Sequence, residues 1–287
     1  MKPSKFHYYA PATVGEAVLL LAEHGDDAKV LAGGQSLVPL MSLRLSSVGH
    51  LVDLNRIAGL DTIGRSNGHL RIGALVRQSA AEHSAIVVTE APLVAKALPH
   101  IGHFQIRNRG TVGGSIAHAD PASELPAVAL ALDAMLEATG PNGARRIAST
   151  DFFHGQWQTA LAGDEMLTAI DFPVWGAHSG FAVEEVARRH GDFALCGAVC
   201  GVQLDGERIS RATIGLFGVG STPIRATLAE QALLAGGAGT DLTAVANEAA
   251  ASIDPSGDIH ASGAYRKQVT AVVVRRALTK AIEEARS

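Results

Sequence analysis

The sequence predicts an α+β fold in two parts. Three observations carry that expectation. Short apolar runs alternate with helical periods as far as Pro173, and two Gly-Gly segments adjoin such runs. Beyond Trp175, three strand-like runs come first and only helical periods follow.

The elements follow in chain order. Thr13 and Glu16 make a Thr-x-x-Glu capping box ahead of the apolar run 17–22, and Gly25 stops it, which predicts a helix of about three turns. Residues 29–32 form a short apolar strand entering Gly33-Gly34, and 51–54 and 70–73 read as further strands. Residues 91–98 read as a helix and 110–114 as a second glycine-rich loop. Asp120 and Pro121 read as the cap and first-turn proline of a helix running from about Glu124 to Leu132. Runs 135–138, 145–148 and 166–172 read as strands, the last closed by Pro173. The segment 175–180 has no apolar period and marks a domain boundary, giving parts 1–176 and 177–287. Strands are predicted at 181–186, 193–204 and 209–216, then helices at 228–234, 241–253 and 263–284.

Composition excludes several functions. The 287 residues carry 24 Lys+Arg against 28 Asp+Glu, so the chain lacks the basic footprint of a nucleic-acid binder. It is 47% hydrophobic and 18% charged, too apolar for disorder. Two Cys cannot supply a disulfide framework, a four-thiolate zinc site or a cysteine-ligated iron–sulfur cluster. Cys196 and Cys200 fall on one face of a strand about 13 Å apart, too far for a disulfide, and read as buried thiols. No apolar run approaches the length of a membrane helix or a signal peptide, so a soluble cytoplasmic protein is expected.

Glycine is in excess, at 31 residues. The informative ones lie in Ala32-Gly33-Gly34-Gln35-Ser36 and Thr111-Val112-Gly113-Gly114-Ser115. Without Cβ atoms, their backbone N–H groups can turn inward onto an anion, and Ser36, Thr111 and Ser115 add hydroxyls. Two such segments about 80 residues apart point to one diphosphate between them; the plain alternative is a pair of ordinary turns. There is no Gly-x-x-x-x-Gly-Lys-Ser/Thr, and Gly215, Gly218 and Gly220 are misspaced for a dinucleotide fingerprint. Arg107 and Arg109 flank the second segment as anion partners or as ordinary solvated charge.

These segments resemble the flavin motifs of the FAD-binding medium subunit of the molybdenum hydroxylases, the xanthine dehydrogenase and carbon monoxide dehydrogenase family. The first match is Val30-Leu31-Ala32-Gly33-Gly34-Gln35-Ser36-Leu37 and the second runs through 105–116 into Ala119-Asp120-Pro121-Ala122-Ser123-Glu124. A third, Arg188-Arg189-His190-Gly191-Asp192-Phe193-Ala194, resembles the opening of the family's C-terminal domain. The resemblance implies a two-lobed FAD-binding domain of the vanillyl-alcohol-oxidase type, with lobes of about 1–55 and 56–176. A smaller domain of a three-stranded antiparallel sheet with helices would follow. It assigns the FAD pyrophosphate to residues 32–36 and to Thr111, Gly113, Gly114 and Ser115. Glu124 would lie near sugar hydroxyls, Ile101 and Leu167 would pack against the cofactor, and Phe193 stands where some relatives place Tyr near the isoalloxazine. Ser115 replaces a more common Asn.

By the same resemblance, the chain carries no catalytic acid or base and no metal. It would take electrons from two [2Fe-2S] clusters on a small partner subunit. A large partner would hold the molybdopterin-type molybdenum cofactor and oxidise the substrate. The assembly would be a dimer of heterotrimers. Two alternatives remain: a self-contained flavin oxidoreductase using Glu184, Glu185 or Asp192, and a flavin-free assembly subunit. His100 and His103 read as polar residues rather than metal ligands, His118 lies beside the second segment, and Trp157 and Trp175 fall near the domain border.

Overall fold

The computed structural model describes residues 2–287. A three-stranded parallel sheet comes first: β1 (His7–Tyr9), β2 (Ala28–Leu31) and β3 (His50–Asp53), in the order β1-β3-β2. Helix α1 (Val14–His24) packs on it through Ala17, Val18 and Leu21. The capping box forms as expected: Thr13 accepts from the Glu16 N–H at 3.2 Å, and Glu16 Oε2 accepts from the Ala12 and Thr13 N–H groups. Helix α2 (Leu37–Ser42) leaves directly from the first glycine segment.

The second sheet is antiparallel. Its strands are β4 (Ile63–Ser66), β5 (His69–Gly73), β6 (Met135–Gly140), β7 (Gly143–Ala148) and β10 (Met166–Pro173), in the order β4-β5-β10-β6-β7. A small hairpin of β8 (Phe153–Gly155) and β9 (Gln158–Thr159) lies between β7 and β10 in sequence. Between β5 and β6 run α3 (Gln78–Glu82), α4 (Ala85–Glu90), α5 (Pro92–Ala97), α6 (Phe104–Arg107), α7 (Val112–His118) and α8 (Glu124–Ala131). A register shift in β10 between Leu167 and Ala169 marks a bulge at Thr168, whose carbonyl accepts from the Ala74 N–H.

The third sheet is β11 (Ser179–Val186), β12 (Cys196–Asp205), β13 (Arg208–Phe217) and the two-residue β14 (Ile224–Arg225), all antiparallel in that order. Its central strand β12 is buried on both faces. Cys196, Ala198, Cys200 and Val202 meet α9 (Thr227–Gly236), α10 (Leu242–Ala251) and the long α11 (Gly263–Arg286). Phe181, Val183, Val199 and Phe217 share the core of α5, α8 and the second sheet.

Four expectations are corrected. The second glycine-rich loop is not a loop: Gly113 and Gly114 lie in the first turn of α7, capped by Thr111. Asp120 and Pro121 precede α8 rather than cap it. Asp120 Oδ1 accepts from the Ala122 N–H at 2.9 Å, and the N-cap position falls to Ser123. The strand expected from Phe193 begins only at Cys196, because residues 193–195 belong to the preceding turn. The C-terminal sheet gains a short fourth strand, and β1 and β4 escaped notice because each is short and largely solvent-facing.

The last helix crosses β11 at Gly180, where an added Cβ would collide with the Ala281 carbonyl and the Ala285 nitrogen. Gly180→Ala should therefore lower stability by roughly 1–3 kcal/mol through overpacking, read by urea unfolding. An unchanged midpoint would show that α11 can shift freely.

Candidate functional site

The first glycine segment leaves β2 and turns through Gly34 at φ +73°, a conformation costly for residues with a Cβ. Gln35 Nε2 donates to the Gly33 carbonyl at 3.1 Å. Among the described residues, the N–H groups of Gly33, Gly34, Gln35 and Ser36 meet no acceptor. Four consecutive open amides suit an anion. Asn55 Nδ2 holds the Ala32 carbonyl at 2.9 Å, and Arg77 braces Asn55 while also donating to the Arg109 carbonyl.

The second segment is arranged differently. The Gly113 N–H donates to the Ala74 carbonyl at 3.0 Å and the Gly114 N–H to Thr111 Oγ1 at 2.9 Å. These glycines are needed for packing: a Cβ on Gly113 would lie 2.5 Å from Ala74 Cα, and one on Gly114 2.6 Å from Thr111 Oγ1. Their amides are spent within the protein and are not open to an anion. The two segments touch directly, because a Cβ on Gly33 would lie 2.5 Å from the Arg109 carbonyl and 2.7 Å from Gly110 Cα.

A cleft runs between them. It is lined by Val30 and Ala32 from the first segment, Gly113, Gly114 and Ala117 from α7, and Leu167. Leu54, Ala74, Leu75, Leu161, Glu165 and Met166 complete it. Five expected residues (Val30, Ala32, Gly113, Gly114 and Leu167) thus share one cavity. Apart from Glu165, which is paired with Arg145, the others added by the structure are apolar side chains that look like ordinary core in sequence; Ala117 alone carried a signal, one turn beyond Gly113 and Gly114 on the same helical face.

The remaining expected residues are not among those that line this cleft. Leu31 and Leu37 pack together with Met41, Val48 and Leu51 under α2. Ile101 packs against the main core. Phe193 is 65% exposed in the turn between β11 and β12. Arg107 is committed to Glu82 at 2.7 Å, which leaves Arg109 as the unpaired cation of that pair among the described residues. His103 contacts Gly191 and lies edge-on to His190, while His100 bonds Glu185 at 3.2 Å.

At the far end of α7, Ala119 (φ +52°) and Trp157 (φ +59°) are both left-handed, and the Trp157 N–H donates to the Ala119 carbonyl. This lays Trp157 on the His118 ring, with centroids 6.1 Å apart. Burial holds His118 below the usual histidine range. Trp157 thus packs on the end of α7 from the turn between β8 and β9, whereas Trp175 stacks edge-on with Phe181, under Arg211.

Glu124 is 6% exposed, and burial pushes its carboxyl up to about 8 from 4.5. The folded chain thus holds a proton that the unfolded chain releases, and this contribution to stability falls as pH rises between those two values. Glu124→Gln removes it. The melting temperature of the variant should gain on that of the unaltered chain by several degrees from about pH 5 to about pH 8, read by thermal melts. Parallel curves would assign the titration to another group.

Comparison with known proteins agrees with this architecture. The family model described as the FAD binding domain in molybdopterin dehydrogenase matches residues 4–175, and that described as the CO dehydrogenase flavoprotein C-terminal domain matches 181–281. The chain is 42% identical over 288 residues to the 6-hydroxypseudooxynicotine dehydrogenase complex subunit alpha of Paenarthrobacter nicotinovorans, covering 100% of this chain and 97% of the relative. It is 39% identical to the caffeine dehydrogenase subunit beta of Pseudomonas sp. (strain CBB1), covering 99% and 97%. A solved structure of carbon monoxide dehydrogenase from Hydrogenophaga pseudoflava superposes with a TM-score of 0.96 at 40% identity, covering 99% of both chains. With both of its parts matched and its relatives aligned end to end, the chain belongs to the family of FAD-binding medium subunits of the molybdenum hydroxylases.

Proposed function

We propose that this chain is the electron-transfer subunit of a heteromeric molybdenum hydroxylase. It would receive electrons from [2Fe-2S] clusters on a small partner and pass them to an external acceptor, with the substrate oxidised at the molybdenum cofactor of a large partner. The observation that carries this reading is the run of four open amides at 33–36, beside a cleft built from both glycine segments. FAD, when bound, takes one or two electrons and so joins one-electron clusters to two-electron acceptors.

The chain's own part is to bind, orient and exclude water. The amides of Gly33, Gly34, Gln35 and Ser36 and the hydroxyls of Thr111 and Ser115 would hold the pyrophosphate, and Ala32, Ala117 and Leu167 would shield it. Ile101, Glu124 and Phe193 would contact the remainder of the cofactor. Residues 1–176 would form the FAD-binding domain and 177–287 the C-terminal domain, in a cytoplasmic dimer of heterotrimers. The thiols support a division of labour between chains. Burial pushes Cys196 up to about 11 and raises Cys200 too, so neither is a ready thiolate ligand.

Gly114→Val would drive a side chain into Thr111 Oγ1 and toward Ala32, which closes the cleft. The purified variant should carry little flavin by visible absorbance; full occupancy would sink the assignment of this cleft. In a reconstituted complex lacking the chain, substrate should still reduce molybdenum while turnover with the natural acceptor falls. Undiminished turnover would remove the electron-transfer role.

A further inference from the structure

Asn55 lies in the single helical turn that follows β3, next to Leu54 of the cleft wall. The residue is exposed, yet both ends of its side-chain amide are engaged. Oδ1 accepts from Arg77, while Nδ2 donates to Asp53 Oδ1 and, at 2.9 Å, to the Ala32 carbonyl. One donor and two acceptors thus face the group, which fixes the orientation of the amide and suits neither a carboxylate nor an alkyl side chain. Asp53 is itself held by the Tyr8 hydroxyl at 2.7 Å and by the Asn55 N–H at 2.9 Å.

The Ala32 carbonyl shares a peptide with the Gly33 N–H. That peptide is planar and trans, so the two groups point in opposite directions. A carbonyl held toward Asn55 therefore fixes the Gly33 N–H on the opposite side, where no protein acceptor meets it among the described residues. The same relation recurs in the next peptide: Gln35 Nε2 holds the Gly33 carbonyl at 3.1 Å, and the Gly34 N–H is open. Restraint is needed here because glycine accepts either sign of φ, so these peptides can rotate more freely than others. Half a rotation would replace an N–H donor by a carbonyl oxygen, which repels an anion.

We propose that Asn55 is a positioning residue for the cofactor: by holding the Ala32 carbonyl, it aims the Gly33 N–H at the pyrophosphate. The proposal rests on the reading of this chain as an FAD subunit with the pyrophosphate at residues 33–36. In this role Asn55 acts through the backbone and need not touch the ligand. Arg77 extends the effect, because it also donates to the Arg109 carbonyl that lies against Gly33. Hydrogen bonds of an exposed side chain add little to folding, since water replaces them. Their effect falls on the ligand, which meets a donor already oriented and does not have to order it.

Two substitutions separate this role from a structural one. Asn55→Ala removes the bond to the carbonyl without adding charge. Asn55→Asp keeps an acceptor for Arg77 but loses the donor to Ala32. The test is FAD affinity of the full chain by quenching of flavin fluorescence, beside the urea midpoint of the same chain without flavin. Each variant should raise the Kd about tenfold, the net worth of one hydrogen bond, with the midpoint unmoved. A residue that merely supports the fold would lower the midpoint together with the affinity.

An unchanged Kd in Asn55→Ala overturns the proposal, and so does a loss of affinity that tracks a lower midpoint. Full affinity in Asn55→Asp would show that Asn55 works through Arg77 and would overturn it as well. Should Asn55→Asp fail to fold, Asn55→Ala decides alone; failure of Asn55→Ala to fold would assign the residue a structural role. Absence of FAD binding by the unaltered chain would instead overturn the cofactor reading.

Discussion

The architecture depends on one backbone contact, that of Gly33 with Arg109 and Gly110. The first segment belongs to the small parallel sheet and the second follows the helices of the antiparallel sheet. Without side chains at Gly33 and Gly110, the two come close enough for a single cleft to draw walls from both. Arg77 reinforces the contact by joining Asn55 to the Arg109 carbonyl, and its backbone pairs with Thr111. Thr111 then caps α7. One chain of contacts thus runs from β3 through Arg77 to the helix that lines the cleft.

The third sheet is tied to this site by burial rather than by a linker. Residues 175–180 look like a boundary in sequence, yet β11 already begins at Ser179, and Phe181, Val183 and Val199 complete the core shared with α5 and α8. At roughly 25 cal/mol per Å² of apolar area, several fully buried large side chains outweigh the flexibility of a short connection. The seam buries Glu124 and most of the Glu185 side chain, while His100 stays partly open to solvent.

Most elements were legible because their signals are local. The capping box at Thr13 and Glu16 formed as written, and the cysteines share the helix-facing side of β12 as strand alternation requires. The glycine segments were legible as a pair but not in their division of roles. Sequence treated 33–34 and 113–114 alike, and only the partners of each N–H separate them: the Ala74 carbonyl that takes the Gly113 N–H is 39 positions away. The cleft residues Leu54, Leu75 and Met166 gave no sign, because an apolar residue that lines a cofactor cleft has the same chemistry as one in the core. The Asp120-Pro121 turn misled for a related reason. Both residues suit a helix start, and the competing Asx turn onto Ala122 decided otherwise.

The asymmetry between the segments also bears on charge. A pyrophosphate held by two glycine loops of equal kind would be met by amides from both sides. Here the open amides come from one side, and the other offers hydroxyls, which can donate or accept as the ligand demands. Arg107 is consumed by Glu82, and Arg109 lies on the exposed flank. An anion bound there would thus be met mainly by dipoles rather than by full positive charges.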